Sequence, residues 1–161
     1  MPLVAFDSLP DDARLWVFGS SHAVDARGTE TLLTSVDQWM SQWTAHGAPL
    51  TCAREWRDGR FLVIGVDQQS AGASGCSIDA LFRVLSDMQN DLGASFLGGG
   101  RVFYRSDDGA VHCVDRPAFA HTPGLADETK VFDTTVTTAG AYRTAFELPL
   151  RNSWHRDLLP A

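Results

Sequence analysis

Lysine is almost missing from this chain: of thirteen basic residues only Lys130 is one, and the rest are arginine. We read that bias as compositional and attach no function to it. Positive charge is scarce as a whole, and the net charge of −7 argues against non-specific binding to nucleic acid, which rests on clustered cations. It argues equally against an anionic membrane surface. Long apolar runs are absent too, none approaching the roughly 18–20 residues of a membrane span. The opening MPLVAFDSLPDDA carries acids and no basic stretch, so no signal peptide is expected. Cysteine is limited to Cys52, Cys76 and Cys113, odd in number and widely spaced. That suits neither a disulfide framework nor a CxxC zinc site, and it fits a reducing, cytoplasmic setting. No HExxH, HxH or Cys/His spacing is present, so no metal and no cofactor are expected.

What the chain does have is apolar bulk. It is 44% hydrophobic over 161 residues, enough for one domain with a sizeable core. Leu15 to Phe18 is a continuous apolar run closed by Gly19, as in a buried strand. After the loop GSSHAVDARGTE, the spacing of Leu32, Leu33, Val36, Trp39, Met40 and Trp43 predicts a helix from Thr29 or Glu30 to His46. Gly47 and Pro49 are placed to end it. Thr51–Arg57 and Phe61–Val66 flank Asp58-Gly59 and predict a hairpin. Ile78, Leu81, Phe82, Leu85, Met88 and Leu92 form a second helical stripe, ending near Gly93. Residues 102–105 and 110–114 predict another hairpin around Ser-Asp-Asp-Gly. A Pro-rich connection over 116–130 leads to a β-type run at 131–138, a short helix at 139–146 and a last turn capped by Ser153.

The order β-α-β-β-α-β through residue 115 is the split βαβ pattern of ferredoxin-like folds. The fold class is therefore expected to be α+β: a ferredoxin-like core over 13–115 with a hairpin arm, and an extension over 116–161 packing on it. The first and third strands, apolar on both faces, are expected to be a central parallel pair, with the polar TCAREWR strand at an edge. Two helices cover only one face of such a sheet. The other needs the C-terminal segment, which we favour, or a second subunit, so the chain is expected to be a monomer or a homodimer.

With that topology the two strand-to-helix loops lie at one end of the sheet. They bring Ser20, Ser21, His22 and Asp25 near Asp67, Gln68, Ser74, Cys76 and Ser77, where two helix N-termini favour an anion. Cys76 stands next to a helix start, where a thiol is acidified and His22 is a possible base. Asp79, about one turn on, opposes a thiolate. The plainer reading makes Cys76 a small packing residue at a tight corner, with Ser74 and Ser77 as caps.

The segments HGAPL (46–50), ASGCSIDAL (73–81) and NSWHRDLL (152–159) carry a resemblance. The chain is similar over nearly its whole length to a group of small bacterial proteins known under the label "ABC transporter ATPase". The label implies a nucleotide-binding P-loop, GxxxxGK[ST], whose lysine reaches the phosphates. Lys130 sits in ADETKVF with no glycine frame, and Gly98-Gly99-Gly100 is followed by Arg101 and leads into a strand. ATP hydrolysis is therefore not expected. The resemblance also implies that the SGCSID corner and the NSWH tail belong to one pattern. If they meet in space, His155 or Trp154 completes the site.

Three functions follow as expectations, in this order. The first is a domain that binds an anionic or polar group of a small molecule or protein partner at the two loops. The second is an enzyme using Cys76 as nucleophile with His22 or His155 as base. The third is a scaffold or assembly subunit.

Overall fold

The computed structural model describes residues 4–45, 48–49, 51–68 and 78–160. Among these residues it is α+β, with four α-helices, two antiparallel sheets of three and four strands, and one two-stranded pair. Strand β1 (Arg14–Gly19) leads to α1 (Ala26–Ser41). The side chain of Asp25 accepts the Gly28 amide at 2.7 Å, so the helix starts earlier than its apolar stripe suggests. It also stops earlier, at Gln42, where the amides of Gln42 and Trp43 bond three residues back and tighten the last turn. The end expected at His46 and Gly47 lies outside the described residues. Two short strands, β2 (Thr44–Ala45) and β3 (Ala48–Pro49), pair with each other.

The hairpin of β4 (Cys52–Arg57) and β5 (Phe61–Val66) forms where Asp58-Gly59 predicts it, both residues taking positive φ (58° and 64°). Helix α2 (Asp79–Leu92) ends on Gly93 in the left-handed region, as its C′ position requires. Strands β6 (Arg101–Arg105) and β7 (Val111–Asp115) form the second hairpin. The chain then adds α3 (Arg116–Ala120), β8 (Lys130–Phe132), α4 (Ala139–Ala145), β9 (Glu147–Pro149) and two 3-10 turns over Leu150–Asn152 and Trp154–Leu158.

The three-stranded sheet has the order β1-β5-β4, and the four-stranded sheet β7-β6-β8-β9. Two expectations are corrected by this pairing. The central pair β1 and β5 is antiparallel, with Arg14 opposite Val66 and Gly19 opposite Phe61. And β6, the strand a ferredoxin-like sheet would place beside β1, belongs to the second sheet. The outer edge of β1 is instead met by the Thr137–Thr138 segment, through the Leu15 amide on the Thr137 carbonyl, and just past its end by the Ser95 carbonyl, which accepts the Ser21 amide.

All six residues of β5 are buried because both faces of its sheet are covered. Leu62, Ile64 and Val66 pack with Leu32, Val36, Met40, Leu81 and Leu85 of the helix layer. Phe61 and Val63 pack with Phe103, Phe132, Val136 and Phe146 of the second sheet and the C-terminal part. The far face of that sheet, Val102 and Val131, is closed by Phe119 and Leu150. The order of layers is thus helices, sheet, sheet, and α3 with the final turns. Among the described residues, no helix is long and apolar enough to cross a membrane.

Candidate functional site

Antiparallel pairing separates the two loops expected to converge. Ser20 leaves β1 beside the start of β5, whereas Asp67 follows the end of β5. With five residue steps between Gly19 and Arg14, those ends are about 17 Å apart. The helices run antiparallel as well, since a Cβ on Gly28 near the start of α1 would approach Leu92 at the end of α2. Their N-termini do not share one end.

The residues themselves serve local structure. Ser20 is fully buried and its hydroxyl donates to the His22 carbonyl at 2.5 Å. Ser21 Oγ accepts the Ser95 amide at 2.9 Å and lies 3.1 Å from His22 Nδ1. The Asp67 amide donates to the Thr51 carbonyl, and the Gln68 side chain donates to the Asp12 carbonyl at 2.8 Å. Ser74, Cys76 and Ser77 lie outside the described residues. Cys52 is buried, which pushes its thiol up to about 11. Burial also raises the Cys113 thiol, against a smaller opposing pull from Arg101 and Arg60.

A cleft does form at the Ser20 end of the sheet, built largely from residues that carry no motif. It encloses about 230 Å³ between Val17 and Gly19 of β1, Gly98–Arg101, Phe103, Arg116, Thr134, Thr135 and Trp154. Its walls come from both sheets because Gly19 has no side chain. A Cβ there would lie 2.4 Å from the Phe103 ring, so only glycine lets β6 stack this close to β1. The Ser21–Ser95 contacts fasten the loop that carries Gly98–Gly100 to the end of β1.

Two arginines face this space. Arg101 folds back over Gly98, and its Nη1 donates to the Ser95 carbonyl at 2.8 Å. The guanidinium of Arg116 lies over the Trp154 ring, 5.4 Å from its centroid. Among the described residues neither forms an ion pair, although the chain carries an acidic surplus. Two neighbouring carboxylates are engaged with backbone amides. Asp115, opposite Arg101 in the β6–β7 ladder, caps α3 by accepting the Ala118 amide at 2.7 Å. Asp133 accepts the Thr135 amide at 2.9 Å.

His155 stands behind this wall and does not line it. It is 2% exposed, with Nδ1 2.5 Å from Ser153 Oγ and its ring stacked on Trp154 at 3.9 Å. Burial pushes its imidazole down to about 4; Asp133 pulls it up and Arg116 pushes it further down. A neutral, enclosed ring acts here as a platform for Trp154. Trp154 itself, 36% exposed, is the large apolar side chain left open among the described residues.

Other grooves are larger, and two of them are chemically occupied. Those two, of about 420 Å³ each, border Arg57 and Tyr142. There Arg57 and Arg105 share Glu147 and Asp58, and the Tyr142 hydroxyl donates to Glu55. Among the described residues no group of three or more His, Cys, Asp or Glu is placed to hold a metal ion.

Of the residues lining this cleft, sequence reasoning names Trp154 and misses Arg101 and Arg116, while Ser20 and Ser21 stand beside it and outside its lining. The available signal was Gly98-Gly99-Gly100-Arg101, which resembles no phosphate loop because a strand follows it where a P-loop has a helix. Comparison with known protein families, with curated proteins and with solved structures finds no match.

Proposed function

We propose that this is a ligand-binding protein of the cytoplasm that holds an anionic group in the cleft between its two sheets. The observation that carries the reading is that Arg101 and Arg116 line the cleft with Gly98–Gly100 and, among the described residues, form no ion pair, in a chain of net charge −7. Cations left without a carboxylate partner in an acidic protein are available to an anion from outside, and charge-assisted hydrogen bonds to it are the strong kind. The NSWH segment, one of three behind the resemblance, supplies the Trp154 platform. A cleft of about 230 Å³ is below the roughly 300–1,000 Å³ of most small-molecule sites, which favours a small ligand or one charged group of a larger one.

Isothermal titration against a panel of small anions tests the function. Arg101→Ala and Arg116→Ala should each weaken the best ligand by roughly 10- to 100-fold, since a hydrogen bond to a charged group contributes about 1.5–3 kcal/mol. Wild-type affinity in both variants would end the reading.

A further inference from the structure

We propose that the group held in this cleft is a phosphoryl dianion, as in a small phosphate monoester, and not a carboxylate; the inference rests on the anion-binding reading above. Three observations point to it.

The first is a run of free donors. Among the described residues the exposed amides of Gly98, Gly99 and Gly100 have no acceptor, while the Gly100 carbonyl takes the Arg116 amide at 3.0 Å. Successive unbonded amides in a turn with a left-handed residue form an anion-binding concavity, and Gly100 has φ of 74°. Packing does not account for glycine at two of these positions. A Cβ on Gly99 or Gly100 would meet no atom within 4 Å.

Charge supplies the second. Arg101 and Arg116 bring two positive charges to the lining, while Asp115 and Asp133 stay outside it, each accepting a backbone amide, and His155 is neutral behind Trp154. A carboxylate would neutralise one of those charges. A phosphate monoester carries about −1.5 to −2 near pH 7 and offers three acceptor oxygens.

The third is donor number. Three amides and two guanidiniums exceed what the two oxygens of a carboxylate can accept from one side. A tetrahedral phosphoryl group distributes its oxygens among the glycine turn and both arginines.

Titration with three ligands sharing one ring tests this: phenyl phosphate, phenyl sulfate and benzoate. Phenyl phosphate should bind at least about tenfold more tightly than benzoate, a difference typical of one further charge-assisted contact. Phenyl sulfate, with the same oxygens and one charge less, should fall between. Gly99→Ala should leave the thermal midpoint unchanged, since its methyl meets no atom within 4 Å, and abolish the preference for phosphate by crowding an anion seated on the adjoining amides. Benzoate binding as tightly as phenyl phosphate, with both lost in Arg101→Gln, would overturn the phosphoryl assignment and leave the anion cleft standing. An undiminished phosphate preference in Gly99→Ala would overturn the glycine cradle. Absence of binding by all three ligands, or binding unaffected by Arg101→Gln and Arg116→Gln, would overturn both readings.

Discussion

Gly19 and Gly98 both lack a side chain, for different reasons, and substitution separates the two. A methyl on Gly19 meets the Phe103 ring at 2.4 Å, and a ring packed between two sheets has nowhere to go. Gly19→Ala should lower stability by about 1–3 kcal/mol, the cost of overpacking a filled core, read from the urea midpoint. A methyl on Gly98 meets the far end of Arg101 at 2.8 Å. Gly98→Ala should therefore keep the midpoint and lose anion affinity as the guanidinium is displaced; a drop in midpoint with affinity intact would contradict this account. His155 adds a pH dependence. The unfolded imidazole takes up a proton below about 6.5, the folded one only near about 4. Between those values the unfolded state binds more protons, so stability rises with pH. The contribution is complete above the unfolded value and is lost as pH falls toward 4. Unfolding at pH 4.5 and 7.5 should show a difference on the order of a few kcal/mol that His155→Gln largely removes. Equal differences in the two proteins would place the pH dependence elsewhere.

Elements with a local signal are legible in the sequence, and elements defined by distant partners are not. The stripe from Ile78 to Leu92 with Gly93 predicts α2, and Asp58-Gly59 predicts the β4–β5 hairpin, as observed. The start of α1 was lost because Asp25, Arg27 and Gly28 precede the apolar stripe, and only the cap reveals them as helical. Burial on both faces suggested a parallel pair for β1 and β5, since parallel strands are usually covered twice. Here a second sheet does the covering, so antiparallel strands show the same pattern. That error moved the expected site, because it set two loops together that leave opposite ends. The cluster joining β4, β6 and β9 was equally hidden, Arg57 and Glu147 being 90 residues apart. Glu147 receives both Arg57 and Arg105, whose guanidiniums also lie against Phe132. Glu147→Ala leaves two half-buried cations with only Asp58 between them. It should cost about 1–3 kcal/mol, the penalty for unpairing groups partly removed from water. Urea unfolding measures it, and an unchanged midpoint would show that solvent already screens these pairs.

At the scale of the whole molecule, one ring of the first sheet meets three rings of the second half of the chain. Phe61 is fully buried and contacts Phe103 at 5.0 Å, Phe132 at 4.8 Å and Phe146 at 5.1 Å between ring centroids. It belongs to β5, the middle strand of the first sheet, while its partners belong to β6, β8 and the end of α4. A shared aromatic core of this kind couples the layers, because opening either sheet exposes the same surface to water. The cleft depends on that coupling, with its floor from β1 and its arginines from the second half of the chain. Phe61→Ala should cost about 3–5 kcal/mol, the usual range for deleting a buried phenyl ring. The location of that loss is more informative than its size. If the layers form one cooperative unit, amide exchange in β5 and in β8 should accelerate together in the variant. Tryptophan fluorescence should share a urea midpoint with far-ultraviolet dichroism, since Trp16, Trp39 and Trp56 flank the helix-side core. Faster exchange in β8 with β5 still protected would mean that the second sheet opens alone. The cleft would then open and close with it, and anion affinity would track the stability of the second sheet and not the geometry of Arg101 and Arg116.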